Sequence, residues 1–211
     1  MTIAAITEKY TEEQVKGFFP GKDIEWVLLR EVEAAPGAEV YFDLDFTPDP
    51  NRCKALSRLQ PALVIVNAVT PTIGELGYPF VRINGWPGFL ERAIHELVAP
   101  DEPAAARVTH LYTKLGRGCK LVPDVPGMIS ARILSTIINE AWFTWEEEVS
   151  TKSAIDTAMK LGTNYPFGPF EWSERIGIAR IVHLLWSLTR TNPEYAPSGA
   201  LIRAAEGLKY D

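Results

Sequence analysis

Residues 126–145 read PGMISARILSTIINEAWFTW, and residues 155–171 read IDTAMKLGTNYPFGPFE. In the first stretch apolar side chains recur at every fourth position, at Ile129, Ile133, Ile137, Ala141 and Trp145. This spacing predicts a long helix with a wide buried stripe. The second stretch predicts another helix, with Thr151 as its N-cap and Gly162 as its end, followed by a loop rich in proline and glycine.

The chain before these helices has a different pattern. Short apolar runs, separated by glycine and proline, predict strands at 24–29, 40–46, 63–66, 80–83 and 119–122 and helices at 51–59 and 104–115. The run LVIV at 63–66 is typical of a strand buried on both faces of a parallel sheet. Residues 176–188 are apolar on nearly every side, which indicates a core helix or a subunit interface. The sequence therefore predicts an α/β domain at 1–122 and a helical bundle at 123–211.

Composition excludes several classes of function. The chain has 211 residues, of which 46% are hydrophobic, so it can bury a sizeable core. Its net charge of −6 argues against a nucleic-acid partner. No apolar run approaches about 18 residues, which argues against a membrane span. The two cysteines suggest neither a disulfide framework nor a metal site, and a cytoplasmic location is expected.

The two quoted stretches also resemble a known family. The triplet at 139–141, NEA, and the phrase IDTAMKLG followed by P-x-G-P-F-E are similar to the C-terminal domain of the 3-hydroxyacyl-CoA dehydrogenase family. Weaker similarity extends the match over residues 60–205. The resemblance implies a truncated Rossmann-like, mostly parallel sheet followed by a helical-bundle C-terminal domain of 3-hydroxyacyl-CoA dehydrogenase type.

The resemblance implies a hydride transfer between NAD and the 3-hydroxyl carbon of an acyl-CoA. A histidine acts as the general base, a carboxylate orients it, and an asparagine on the long helix holds substrate oxygens. Here the histidine position falls on Ile83, or on Asn84 after a one-residue shift. The carboxylate falls near His95 or Glu96, on a predicted helix, and the asparagine falls on Ala131. Asn84, His95 and Glu96 are therefore the only catalytic candidates, and each is a weak one.

The cofactor side also departs from the family. No G-x-G-x-x-G motif occurs, and the eight residues 30–37 between two predicted strands contain one glycine. Eight residues cannot supply a phosphate loop and a crossover helix. The sequence therefore predicts that the first βαβ units are deleted, that no cofactor binds and that NAD in particular does not.

Polar side chains follow two predicted strands. Asn67, Thr70 and Thr72 come after the strand at 63–66, and Arg82 and Trp86 flank the end of the strand at 80–83. Ligands of open α/β sheets gather at the carboxyl ends of strands. We therefore expect these five residues to bind a substrate or other ligand.

Three functions remain open. The preferred one is a non-catalytic relative that forms a homodimer through its helical domain and binds an acyl-CoA or another small ligand. The second is an active NAD-dependent 3-hydroxyacyl-CoA dehydrogenase. The third is an accessory subunit that docks on a separate oxidoreductase.

Overall fold

The computed structural model describes residues 1–207, and the chain divides into two compact units. The first unit ends at Met128 and the second is the rest of the chain. The sequence predicts the boundary after residue 122. The segment beyond that residue stays with the first unit, where Gly127 N donates to Val69 O at 2.9 Å.

The described part of the first unit contains seven strands and four helices. In chain order they are β1 (Thr2–Ile6), α1 (Glu12–Phe18), β2 (Glu25–Leu29), β3 (Ala38–Asp43), α2 (Pro50–Ser57), β4 (Leu63–Val66), α3 (Ile73–Leu76), β5 (Val81–Ile83), β6 (Ile94–Val98), α4 (Glu102–Lys114) and β7 (Gly118–Leu121). Each helix starts at a polar cap that accepts from the backbone three residues on, at Thr11, Asp49, Thr72 and Asp101. Such caps satisfy donors that have no partner inside the helix.

The seven strands form one sheet in the order β2-β1-β3-β4-β5-β6-β7. Neighbouring strands are parallel, except that β5 and β6 are antiparallel. Parallel neighbours need crossovers, so helices cover both faces. This topology confirms the predicted Rossmann-like, mostly parallel sheet.

The beginning of the sheet corrects one prediction. β1, α1 and β2 form a parallel βαβ unit, in which Thr2 pairs with Glu25 and Ile6 with Leu29. The prediction that the first βαβ units are deleted is therefore wrong, because the strand predicted at 24–29 is the second strand in the chain. The predicted truncation of the Rossmann-like domain is nonetheless consistent with the sheet, because β2 is the edge strand and a single strand lies beyond β1 on that side.

The core has one layer on each side of the sheet. Along β1, Ile3 and Ala5 enter one cluster, whereas Ala4 and Ile6 enter the other. The first cluster includes buried side chains of α1 and α4, and the second includes those of α2 and α3. This alternation follows from the two-residue period of a strand.

The second unit is helical throughout its described part. Its elements are α5 (Ser130–Glu146), α6 (Lys152–Thr163), α7 (Pro169–Ile176), α8 (Ile178–Thr189), a 3₁₀ turn (Pro193–Tyr195) and α9 (Gly199–Ala205). The three predicted helices correspond to α5, α6 and α8. The predicted end of α6 at Gly162 is wrong, because the helix continues to Thr163 and Asn164 then adopts a left-handed conformation with φ 55°.

Candidate functional site

The carboxyl ends of β1 and β3 mark the switch point of the sheet, where a doubly wound fold usually binds its ligand. The chain leaves β1 toward β2 on one side and returns to β3 on the other. Here the Asp45 carboxylate lies against the loop that follows β1. Its Oδ2 accepts from Glu8 N at 2.8 Å and from Thr7 Oγ1 at 3.2 Å, and its Oδ1 pairs with Lys9 Nζ at 3.2 Å.

This loop differs from a glycine-rich phosphate loop in two ways. It has no glycine between Ile6 and Glu12, and the helix that follows begins with two acidic residues, Glu12 and Glu13. A diphosphate bound here would have to replace Asp45 as the acceptor of the Glu8 amide and would face these two carboxylates. The residues of the loop therefore do not match the pattern that cradles a dinucleotide.

A buried ion pair closes the end of β3. The Arg52 guanidinium donates from Nε to Asp43 Oδ2 and from Nη2 to Asp43 Oδ1, each at 2.7 Å. The Asp43 side chain is fully buried. Burial raises the pKa of Asp43, and the hydrogen bonds and charge of Arg52 oppose that rise. The two-point contact holds α2 against the end of the strand.

Asn67, at the end of β4, ties neighbouring strand ends together. Its Nδ2 donates to Leu44 O at 3.1 Å and to Gly85 O at 3.0 Å, and its Oδ1 accepts from Gly85 N at 3.0 Å. A Cβ on Gly85 would lie 2.8 Å from the Asn67 side chain. Asn67 therefore uses its amide within the protein, at a position where the sequence predicts ligand contact.

Arg82, which the sequence predicts to contact a ligand at the end of a strand, is buried in the structure. It lies in the middle of β5 and its side chain is completely buried. The guanidinium donates to Ala68 O and Val69 O, each at 2.9 Å, and forms an ion pair with Asp124. Burial lowers the pKa of Arg82, and Asp124 opposes that shift. The hydrogen bonds and the ion pair of Arg82 thus lie within the protein, at a position where the sequence predicts ligand contact.

The other predicted ligand residues lie around the same strand ends. Thr72 caps α3 and is bonded to Glu75. Thr70 is 9% exposed, and the Trp86 side chain is buried. Asn84 directly follows β5; its Oδ1 accepts from Trp86 N at 3.4 Å, and its buried Nδ2 has no hydrogen-bond partner among the described residues. Among the predicted ligand-binding and catalytic residues, Asn84 and Thr70 are thus the ones whose side-chain polar groups are available to a ligand.

The weak catalytic candidate His95 is a core residue. It lies on β6, not on the predicted helix, because this segment pairs with β5 and β7. Its Nε2 donates to Leu90 O at 3.0 Å, so its Nδ1 accepts from Tyr112 Oη at 3.2 Å. Burial lowers the pKa of His95. Glu96 follows it on β6 and is half-buried, and its carbonyl accepts from Asn84 N at 3.2 Å.

The two remaining positions that the resemblance assigns to catalysis are apolar and fully buried. Ile83 and Ala131 are each 0% exposed, one at the end of β5 and the other in the first turn of α5. Neither side chain can donate or accept a proton. No group of three or more metal-binding side chains occurs in residues 1–207, and no helix in that range is long and apolar enough to cross a membrane.

The helical motif has a structural explanation. Asp156 on α6 is 8% exposed and accepts from Phe170 N at 2.8 Å and Glu171 N at 3.3 Å, so it caps α7 from a neighbouring helix. Glu171 closes a capping box on Gly168 N at 2.9 Å and forms an ion pair with Lys160, whose hydrogen bond lowers the pKa of Glu171. The spacing of the motif thus brings the first turn of α7 onto α6.

Comparison with known proteins identifies this domain. Residues 127–208 match the model of the 3-hydroxyacyl-CoA dehydrogenase C-terminal domain. The chain is 34% identical over 133 residues to 3-hydroxyadipyl-CoA dehydrogenase of Escherichia coli K12, a match that covers 62% of this chain and 28% of that protein. It is 33% identical over 111 residues to 3-hydroxybutyryl-CoA dehydrogenase of Bradyrhizobium diazoefficiens, covering 52% of this chain and 38% of that one. These matches therefore span less than two fifths of either curated relative.

The fold match is broader. The crystal structure of (S)-3-hydroxybutyryl-CoA dehydrogenase PaaH1 from Ralstonia eutropha superposes with a TM-score of 0.72 at 22% identity. The match covers 87% of this chain and 70% of that chain. At this level of identity it speaks for the fold alone.

The prediction that no cofactor binds is contradicted by these comparisons. The relatives are dehydrogenases, and a solved structure with this fold is described as an NAD⁺-dependent dismutase. That structure has a TM-score of 0.62 at 15% identity and covers 98% of this chain and 86% of its own. The prediction rested on the missing glycine motif and on a deleted βαβ unit, and the second ground is wrong because the fold contains that unit. The domain match over residues 127–208 and the named relatives support assignment of the chain to the 3-hydroxyacyl-CoA dehydrogenase family.

Proposed function

We propose that the chain is a homodimeric 3-hydroxyacyl-CoA dehydrogenase-like module that binds an acyl-CoA and does not itself perform the proton abstraction of a dehydrogenase. The observation that carries this proposal is the end of β5. Fully buried Ile83 stands where the resemblance places the general base, and the amide of Asn84 follows it. Neither group titrates near neutral pH, and loss of a general base costs about 10²- to 10⁴-fold in rate.

Ligand binding is supported by the polar groups at the same strand ends. Asn84 Nδ2 is buried without a partner in the described part of the chain. A buried amide without an acceptor costs about 1–3 kcal/mol. An acyl carbonyl or hydroxyl oxygen is an acceptor that would offset this cost, and acyl-CoA thioesters carry such oxygens. Thr70, in the loop that follows β4, offers a hydroxyl.

Dimer formation is supported by apolar surface on the second unit. Six large apolar side chains of this unit are between 38% and 83% exposed, namely Ile129, Ile133, Val149, Leu161, Tyr165 and Trp186. Ile129 and Ile133 are one helical turn apart at the start of α5, so their side chains share one face. Protein interfaces are enriched in such apolar and aromatic groups at their centre. The partner proposed is a second copy of this chain.

A second function is favoured by the β1-α1-β2 unit and by the relatives. Because this crossover is present, the sheet retains the switch point at which NAD-dependent enzymes bind their cofactor. The second candidate is therefore an active NAD-dependent 3-hydroxyacyl-CoA dehydrogenase. On this alternative, the catalytic candidates are Asn84, which directly follows β5, and Glu96, whose carbonyl accepts from Asn84 N.

One set of measurements separates the two candidates. Acetoacetyl-CoA binding is measured by calorimetry, NADH oxidation with the same substrate by absorbance, and molecular mass by light scattering. The proposal expects saturable binding without turnover, a dimeric mass, and weaker binding for Asn84→Ala but not for Asn51→Ala, an exposed asparagine on α2. Turnover above about 1 s⁻¹, the lower end of ordinary enzyme rates, would select the alternative. A monomer that binds no acyl-CoA would refute the proposal.

A further inference from the structure

A cavity lies at the amino ends of the strands, opposite to the strand ends described for the candidate site. About 170 Å³ in volume, it lies at the amino ends of β3 and β4, beside α4. A second cavity of about 290 Å³ adjoins it and shares Leu63 and Arg107 as wall residues. The first cavity is comparable in size to a protein cavity of about 150 Å³ that holds a benzene ring.

One wall of the smaller cavity is basic. Arg107, His110 and Lys114 of α4 all line it. They are spaced by three and four residues, so they share one face of the helix, about 10 Å long. Leu111 lies between them and is buried against the sheet, which fixes the orientation of this face.

These basic groups are not neutralised within the protein. Arg107 Nη2 donates to Pro61 O at 3.1 Å, a contact with a carbonyl rather than with a carboxylate. The side chains of His110 and Lys114 form no hydrogen bond or ion pair with any residue in the range 1–207. Glu39 is the one acidic side chain among the residues that line the cavity. The chain as a whole carries a net charge of −6, so the positive charge of this cavity is opposite in sign to the net charge of the protein.

We propose that this cavity binds the phosphate group of a small phosphorylated molecule, whose remainder occupies the adjoining 290 Å³ cavity. A phosphate dianion accepts from a guanidinium fork and from an ammonium point charge together. Arg107 and Lys114 together outnumber the Glu39 carboxylate in this cavity, and a dianion gains twice as much from that excess of positive charge as a monocarboxylate does. The adjoining cavity is lined by four prolines, Pro61, Pro79, Pro100 and Pro103, which suit an apolar group, and by one carboxylate, Asp101, which accepts from Ala104 N as the cap of α4. An uncharged remainder therefore suits this cavity. This site is separate from the strand ends discussed above and does not depend on the proposed acyl-CoA binding.

The test uses the full chain and inorganic phosphate alone, at constant ionic strength. The chain has three histidines, and the imidazole resonance of His110, assigned with His110→Gln, reports on the cavity. His183, exposed on α8 of the other unit, is the internal reference. The expected result is a saturable shift of the His110 resonance while that of His183 stays unchanged. A shift that grows without saturation, or that both resonances share, would overturn the proposal.

Four variants test whether the charges of the cavity raise or lower the affinity for phosphate. Arg107→Gln and Lys114→Gln should each weaken phosphate binding about 2- to 5-fold, the range for a partly exposed charge pair. Glu39→Gln should tighten it by a similar factor. Lys54→Gln, which removes an exposed charge from α2, should change nothing. If Lys54→Gln weakens binding as much as the cavity variants do, or if Glu39→Gln weakens it, the cavity is not the binding site.

Discussion

Replacing Gly168 with alanine is expected to destabilise the second unit, although the backbone at this position suits alanine. Gly168 has φ −74° and ψ 168°, which any residue adopts. The obstacle is the side chain of Asp156. A Cβ on Gly168 would collide with Oδ1 and Cγ of Asp156. Asp156 would therefore have to leave the start of α7.

The magnitude follows from what Asp156 holds. Its carboxylate accepts from Phe170 N at 2.8 Å and from Glu171 N at 3.3 Å, and the residue is buried. Loss of a helix cap costs about 0.5–2 kcal/mol. A buried acceptor left without its donors costs about 1–3 kcal/mol more. We therefore expect Gly168→Ala to lower the free energy of unfolding by about 1.5–5 kcal/mol.

Denaturant unfolding followed by tryptophan fluorescence measures this loss, since four of the six tryptophans, Trp142, Trp145, Trp172 and Trp186, lie in the second unit. Gly162→Ala is the matched control. A Cβ on Gly162 meets nothing within 4 Å, and Gly162 lies inside α6, so that change should stabilise by about 0.5–1 kcal/mol.

A double-mutant cycle tests the cause. Asp156→Ala loses the cap but leaves room for a Cβ, so adding Gly168→Ala to it should cost almost nothing further. Additive losses in the double variant would refute the collision argument. So would wild-type stability of Gly168→Ala alone.

Three further predictions concern single side chains. Lys152 Nζ lies 4.1–5.4 Å from the centres of three aromatic rings; Lys152→Met should therefore lower the free energy of unfolding by about 0.5–1 kcal/mol, measured by denaturation, whereas an unchanged value would contradict a cation–π role. Arg52→Met leaves the Asp43 carboxylate buried and unpaired and should cost about 3 kcal/mol by the same measurement, and Asp43→Asn in the same chain should recover part of it. Burial lowers the pKa of His95 in the folded state, so the unfolded chain binds a proton at a higher pH than the native one, and stability should fall as pH drops below about 6.5. In denaturation from about pH 7 to about pH 5, His95→Gln should flatten this slope and His183→Gln should keep it; equal slopes in the two variants would contradict the assignment.

The helical half was predictable because its signals are local. The four-residue apolar period of α5 lies in one segment, and the Thr151 cap acts on a backbone amide three residues on. β6 was missed because the segment around Ile94 and His95 has helix-like apolar spacing, yet becomes a strand by pairing with β5 and β7. Such pairing depends on residues distant in sequence, which periodicity does not report.

β1 was missed for a related reason. Its sequence, TIAAI, contains two alanines, which are weak strand formers, and the loop after it lacks the glycines that usually mark the first crossover. The absence of a glycine motif therefore led to the prediction that the whole βαβ unit is deleted. It also led to the prediction that no cofactor binds. A sheet can keep its topology while its phosphate loop changes, because strand pairing depends on backbone hydrogen bonds and buried side chains rather than on that loop.

Arg82 shows why the candidate site was harder to predict than the fold. A charged residue between Val81 and Ile83 suggests function, because an apolar strand does not normally carry a cation. In the structure the guanidinium satisfies two carbonyls after β4 and the Asp124 carboxylate after β7, so its partners are mostly backbone atoms that no sequence pattern identifies. Arg82 thereby fixes the loop after β4 through contacts within the protein. Asn84, two residues on, has the opposite character, since its buried Nδ2 finds no acceptor in the described chain. Of the two polar residues in this segment, the uncharged one is therefore the better candidate for ligand contact.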